Sequence, residues 1–186
     1  AIKKVKSIAS KKNNNVFLLD GVTGSGKTEI YLELISDEIK RGRQSLVLLP
    51  EIALSKQFID RFEKRFNFMP AIWHSEISNK EKRKTWQKVI KGEIKVVIGA
   101  RSALFMPFSS LSLIVVDEEH DSSYKQEDGI IYNARDMAVV RGNLSNSKVI
   151  LASATPSLES VHNANIGKYN RIELPERFGS AVMPRI

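Results

Sequence analysis

Residues 16–28 read VFLLDGVTGSGKT, and this stretch decides the fold. The apolar run Val16-Phe17-Leu18-Leu19 has the length of a buried strand. The glycines after it make a turn, and Lys27 and Thr28 stand where a helix begins. Strand, glycine-rich turn and helix, with the spacing G-x-x-x-x-G-K-T, form a cradle for the phosphates of a nucleoside triphosphate such as ATP. Backbone N–H groups along Gly21, Val22, Thr23, Gly24, Ser25 and Gly26 are expected to close around phosphate oxygens. A side chain at Gly24 or Gly26 would crowd that approach. Lys27 is expected to set its ammonium between the outer phosphates, and Thr28 to ligate magnesium through its hydroxyl. The alternative is a chance match, against which the flanking strand and helix argue. Asp20, at the strand end, reads as local structure rather than a metal ligand.

Outward from this stretch, strand-like and helix-like segments alternate, as in a mostly parallel sheet flanked by helices on both faces. The helix from Lys27 to about Lys40 turns Ile30, Tyr31 and Leu34 toward the sheet, and Gly42 ends it. Strands follow at Ser45–Leu49, Ala71–Trp73, Lys95–Ile98, Leu113–Val116 and Lys148–Ala152. Between them, Ala53–Phe66 is amphipathic, with Leu54, Phe58, Phe62 and Phe66 on one face, which reads as core packing. Ser78 opens a polar helix with Glu81 three residues on, a capping box, and Gly92 closes it. Pro156–Ala164 is the last helix expected, and Asn143–Ser147 a loop. The reading is an α/β RecA-like P-loop lobe over residues 1–168. Residues 169–186, with Pro175, Gly179 and Pro184, read as an irregular exit toward a second lobe.

A second constellation follows Leu113–Val116, where a buried strand delivers Asp117-Glu118-Glu119-His120 at the ligand-bearing edge. Asp117 is expected to hold magnesium, directly or through water. Glu118 is expected to orient or deprotonate the attacking water, because phosphoryl transfer relies on positioning and charge. The alternative for these residues is a capped helix start. His120 has two readings: a helix-start residue, or a sensor of nucleotide state that touches the Ser153-Ala154-Thr155 turn. That turn also ends a strand, and Ser153 and Thr155 read either as coupling groups or as an ordinary cap.

Composition bounds the rest. The 186 residues are 42% hydrophobic, enough for one compact core. There is no cysteine, which excludes disulfides and thiolate metal sites, zinc included. Three histidines are too scattered for a metal cluster. No apolar stretch approaches the ~20 residues of a membrane span, and no apolar leader follows Ala1. The expected setting is cytoplasmic, away from membranes. The net charge of +8 favours a polyanionic partner. From Lys56 to Lys95, eleven Lys or Arg face five Asp or Glu, which a solvated set of helix faces would also explain. Trp73 and Trp86 read as partly buried packing groups, with nucleic-acid stacking as the alternative.

The segments GVTGSGKTEIYL, LLPEIALS, HSEIS, GARSALFMPF, IVVDEEHDSSYKQ, YNARDMAVVR and SATPSLES occur in order. Together they resemble the first motor lobe of the primosomal protein N′ family, the bacterial replication-restart helicases within DEAH-like superfamily 2. The resemblance covers nearly the whole chain. DEEH with SATPS is shared by many such motors, whereas EEHDSSYKQ followed by YNARD is specific. It implies an ATP- and Mg2+-dependent 3′-to-5′ helicase on single-stranded and forked DNA. It also implies partners: a second helicase lobe, an amino-terminal DNA-binding region, primosome proteins and single-strand-binding protein. By the same resemblance Lys27, Asp117 and Glu118 are catalytic, and His120, Ser153 and Thr155 couple ATP to DNA. Pro50–Ser55 and Gly99–Ser102, with Arg101 and Ser102, match DNA-facing motifs.

Residues 121–135 match the family's aromatic-rich loop. There Tyr124 and Tyr132 would face bases or each other, and Lys125 and Arg135 would meet phosphates or acidic partners. Ile131 stands where the family usually has arginine, and Ala100 where it has threonine. Two other classes remain open from sequence: a different ATP-driven DNA translocase, and a basic binding lobe whose phosphate loop is unused.

Overall fold

The computed structural model describes residues 15–50 and 56–177. In chain order its elements begin β1 (Val16–Gly21), α1 (Lys27–Lys40), β2 (Gln44–Leu48), α2 (Lys56–Phe66), β3 (Ala71–Trp73), α3 (Asn79–Ile90) and β4 (Val96–Gly99). They continue β5 (Leu111–Asp117), β6 (Lys125–Gln126), β7 (Tyr132–Asn133), α4 (Ala134–Leu144), β8 (Lys148–Ser153), α5 (Leu158–Asn165) and β9 (Asn170–Leu174).

Seven strands form one sheet in the order β3-β4-β2-β5-β8-β1-β9, and every pairing in it is parallel. Strands buried on both faces read as unbroken apolar runs, which is why VFLL, LIVV and VILA were legible. Successive residues point to opposite faces. Phe17, Leu19, Val47, Val115 and Ile150 join Ile30, Tyr31, Leu34 and Phe62 in one core. Leu18, Leu46, Ile114, Val116 and Leu151 join Val89, Tyr124, Ala134 and Ala138 in the other. Each large side chain so buried contributes about 1.5–3 kcal/mol. Phe58 and Phe66 flank the buried Phe62, as the four-residue spacing required, while Leu54 lies outside the described residues.

Because the strands are parallel, their carboxyl ends share one edge, and the turns after β1, β2, β4, β5 and β8 all open there. Polar ties stiffen the opposite edge. The buried Gln44 amide donates to the carbonyls of Val89 and Ile94 at 3.0 and 2.8 Å. Its oxygen accepts from Ser109 N and Ser110 N at 3.0 and 2.9 Å. Ser78 caps α3 as expected, with Glu81 N donating to Ser78 Oγ at 3.3 Å.

Three expectations are corrected. Residues 169–174 do not leave the lobe irregularly: β9 pairs with β1 as the sheet's edge strand, while the rest of the expected exit from 178 onward lies outside the described residues. Its inward-facing Ile172 is buried while Arg171 and Glu173 are exposed, so it lacks the long apolar run of the inner strands. Arg171 bonds Asp20, giving that acid the structural role expected of it. Residues 121–135 are not one loop. They hold a tight turn at Ser122–Tyr124, the antiparallel ribbon β6–β7 and the start of α4. Finally, α4 runs to Leu144, into the segment expected to be a loop. Its start is marked by Asn133, whose side chain accepts from Arg135 N at 2.9 Å.

Candidate nucleotide site

The turn after β1 takes the conformation that its glycines permit. Gly24 and Gly26 have φ of 79° and 85°, in the left-handed region. Gly26 heads α1 with no side-chain cap, so the first N–H groups of the helix are left for an anion. Lys27 Nζ donates to the carbonyl oxygens of Gly21 and Val22 at 2.6 and 3.4 Å, lying over the turn. Among the described residues, the buried Ser25 Oγ lacks a partner. A left-handed glycine turn, an uncapped helix start, an inward ammonium and an unsatisfied hydroxyl fit a polyphosphate. β9 braces this turn, because Val22 N donates to Leu174 O at 3.3 Å.

Asp117 closes β5 and meets the turn through α1. Its Oδ2 accepts from Tyr31 Oη at 2.8 Å, and its Oδ1 accepts from Glu118 N at 3.1 Å. Thr28 stands three residues before Tyr31 on α1, on the same face of the helix, and opposes the rise of that phenol's pKa. The Tyr31 bond thereby ties Asp117 to the helix that opens with Lys27 and Thr28. Burial raises the Asp117 carboxyl above the usual range; the Tyr31 bond and the Lys27 charge oppose that rise, while Glu118 adds to it. Burial first, and then Asp117, push the Tyr31 phenol well up, which keeps it a donor. Magnesium favours hydroxyl and carboxylate oxygens with a few protein ligands, completed by water and phosphate. Thr28 and Asp117 fit that pattern. Among the described residues, no group of three or more His, Asp or Glu forms a fuller cage.

Glu118 sits at φ 46°, a left-handed conformation uncommon outside glycine. That turn leaves its side chain 42% exposed, with Oε2 3.7 Å from His120 Nδ1. His120 Nδ1 also lies 2.8 Å from Ser153 Oγ, which accepts from Thr155 N at 2.9 Å. Three side chains, Glu118, His120 and Ser153, and the Thr155 N–H are thereby brought from two strand ends into one chain of contacts beside Asp117.

The sequence did not single out Glu119, yet it is the most enclosed acid of the group, 1% exposed. Its Oε1 accepts from Ser157 N at 2.7 Å, and its Oε2 from Ser157 Oγ and Ser160 Oγ at 3.0 and 2.9 Å. Arg135 Nη1 approaches the same oxygen at 3.4 Å and donates to Ser157 Oγ at 2.6 Å. Glu119 thus ties the acidic turn to the start of α5 and to α4. The hydroxyls at 157 and 160 were its only sequence trace.

Among the loop residues, Tyr124 departs from the expected DNA contact. Tyr124 does not present its ring: it is 1% exposed, and its hydroxyl lies 3.0 and 2.6 Å from the carbonyl oxygens of Leu48 and Asp117. Arg135 takes the second of its two readings and meets acidic partners, Glu119 and Asp136. Arg101 donates to the carbonyl oxygens of Ser123 and Lys125 at 3.2 and 2.8 Å, fastening the turn after β4 to the loop. Lys125 pairs with Glu127 at 2.8 Å, and Ser102 is exposed. Tyr132 is half-buried, edge-on to Phe105 at 5.4 Å. Of the segment Pro50–Ser55, residues 51–55 lie outside the described residues.

Comparison with known proteins agrees with this geometry. The chain is 53% identical to the replication restart protein PriA of Rickettsia conorii, over 94% of this chain and 27% of the relative. It is 44% identical to the protein of that name from Bacillus subtilis, over 100% of this chain and 23% of the relative. The chain spans about a quarter of the length of these relatives. Among solved structures, RecG bound to a three-way DNA junction superposes with a TM-score of 0.67 at 22% identity, covering 96% of this chain and 23% of that one. The Pyrococcus furiosus Hef helicase domain gives 0.59 at 20% identity, covering 94% of this chain and 38% of that one. Both share the RecA-like fold. The DEAD/DEAH box helicase family model matches residues 3–164, and the chain belongs to that family.

Proposed function

We propose that this chain is the ATP-binding first motor lobe of a 3′-to-5′ DNA helicase acting in replication restart and primosome assembly. The observation that carries the reading is the bond from Tyr31 of α1 to Asp117, which sets the strand-end acid against the helix that opens with Lys27 and Thr28 beside the left-handed glycine turn. The replication-restart relatives support the biological setting.

In this reading Lys27 leaves its loop carbonyls for the outer phosphates, and the uncapped start of α1 binds their oxygens. Thr28 and Asp117 hold magnesium, which supplies charge neutralisation at the phosphates. Glu118, turned outward by its left-handed backbone, orients the attacking water and takes its proton. His120, Ser153 and Thr155 pass the state of that site to the DNA-facing side. The partners are single-stranded and forked DNA, a second helicase lobe, an amino-terminal DNA-binding region, primosome proteins and single-strand-binding protein. The lobe by itself is expected to lack unwinding.

The test is ATP hydrolysis by the intact protein, with and without forked DNA, for the native form and Lys27→Ala. DNA-stimulated hydrolysis that Lys27→Ala nearly abolishes supports the proposal. Equal hydrolysis by both removes Lys27 from its role, and duplex translocation without fork opening reassigns the motor to another class.

A further inference from the structure

The chain has two tryptophans, and both line one cleft. Trp73 ends β3 and Trp86 lies on α3, with ring centroids 6.3 Å apart and planes inclined at 42°. Trp86 is 40% exposed, so the pair is not sealed in a core. The cleft has a volume of about 360 Å³ and is completed by Lys82, Arg83 and Gln87. That size lies within the range of small-ligand sites.

Charge favours an anionic occupant. α3 carries Lys80, Lys82, Arg83, Lys84 and Lys88 against the single acid Glu81. Glu81 is engaged at the helix start, where Ser78 Oγ donates to it at 2.8 Å. Position ties the cleft to the nucleotide site. Trp73 lies at the carboxyl edge of the sheet, and its carbonyl oxygen accepts from Ala100 N at 3.0 Å. Gly99 packs so closely that a Cβ there would fall 2.3 Å from that oxygen. Arg101, the residue after Ala100, holds the Ser123 and Lys125 carbonyls, and Tyr124 between them reaches Asp117 O.

We propose that this cleft holds one unpaired nucleotide of a single DNA strand, its base against Trp86 and its phosphate beside Lys82 and Arg83. The proposal rests on the motor-lobe reading above and adds a base contact to it. A flat base matches two indole faces whatever its sequence, and the flanking cations meet its backbone. An acidic peptide would satisfy the cations but leave the rings without a partner.

Tryptophan emission reports on this cleft alone. The experiment titrates the chain with a fifteen-residue oligothymidylate and with an abasic strand of equal length. Anisotropy of a fluorescein-labelled oligothymidylate follows total binding in parallel. Quenching by oligothymidylate but not by the abasic strand is expected. Trp86→Leu should weaken binding roughly 10-fold, and Trp86→Phe should restore most of it. If Trp86→Leu fails to fold, the abasic comparison and Trp86→Phe still decide. Binding by anisotropy with unchanged emission overturns the cleft and leaves the motor reading standing. No binding by either readout also overturns the cleft, whereas failure of the motor reading shows separately, as ATP hydrolysis by the intact protein that Lys27→Ala leaves unchanged. Quenching by polyglutamate and not by oligothymidylate reassigns the cleft to an acidic protein segment.

Discussion

Tyr31 Oη donates to Asp117 Oδ2 across 2.8 Å, joining the helix behind the phosphate turn to the strand that presents the acidic group. The phenol is wholly buried and comes from a position whose spacing announced only core packing. Its consequence is geometric: with Oδ2 held by Tyr31 and Oδ1 by Glu118 N, the Asp117 carboxylate cannot swing away from the site.

Tyr31→Phe removes that donor and keeps the ring. The bond lowers the Asp117 carboxyl against the rise caused by burial, so losing it raises that group further. A higher value requires a higher pH for ionisation. The acid limb of the pH profile of ATP hydrolysis should therefore move upward, with folding stability lower by about 2 kcal/mol. An unmoved acid limb with normal folding would show that the phenol does not act on Asp117.

Glu119→Ala leaves the Arg135 guanidinium buried without its enclosed partner, together with the Ser157 and Ser160 donors. Removing one member of a buried pair costs about 3–5 kcal/mol. Glu119→Gln keeps hydrogen-bonding atoms in place and should cost clearly less. Urea denaturation of both variants checks this, and equal losses would show that the charge, not the hydrogen-bonding atoms, carries the contact.

His120 and Ser153 lie 2.8 Å apart at the ends of neighbouring strands. If that contact carries the state of one site to the other, Ser153→Ala should leave basal ATP hydrolysis near normal. The DNA-stimulated increment should fall roughly 10-fold. Proportional loss of both rates would instead mark Ser153 as part of the chemistry.

Gln44→Leu tests the far edge of the sheet. It strips the partners from two carbonyls and two N–H groups that the amide satisfies. A loss of about 3 kcal/mol is expected by denaturation, with the nucleotide site unaffected in position.

The inner strands and the phosphate turn were legible because burial on both faces demands apolar runs and the turn demands glycine at left-handed positions. β9 was not, because an edge strand needs only a few inward residues and Ile172 is its one buried side chain. The three acids after Val116 look alike in sequence. Only the tertiary arrangement shows that Asp117 meets Tyr31, Glu118 turns outward and Glu119 is enclosed by Ser157 and Ser160. Tyr124 was misread because an aromatic in a polar stretch suggests a ligand contact, while for Arg135 the sequence left phosphate and acidic partners both open. Their partners, two carbonyls from separate strands and an acid sixteen residues away, are set by packing.

The most direct test of the central claim is a double-mutant cycle on magnesium-dependent binding of a fluorescent ATP analogue by the intact protein, using Thr28→Ala, Asp117→Asn and the pair together. If both residues serve one metal-bound triphosphate, each single change should remove most of the magnesium dependence and the pair should add little. Fully additive losses, or a normal magnesium dependence in Asp117→Asn, would contradict it.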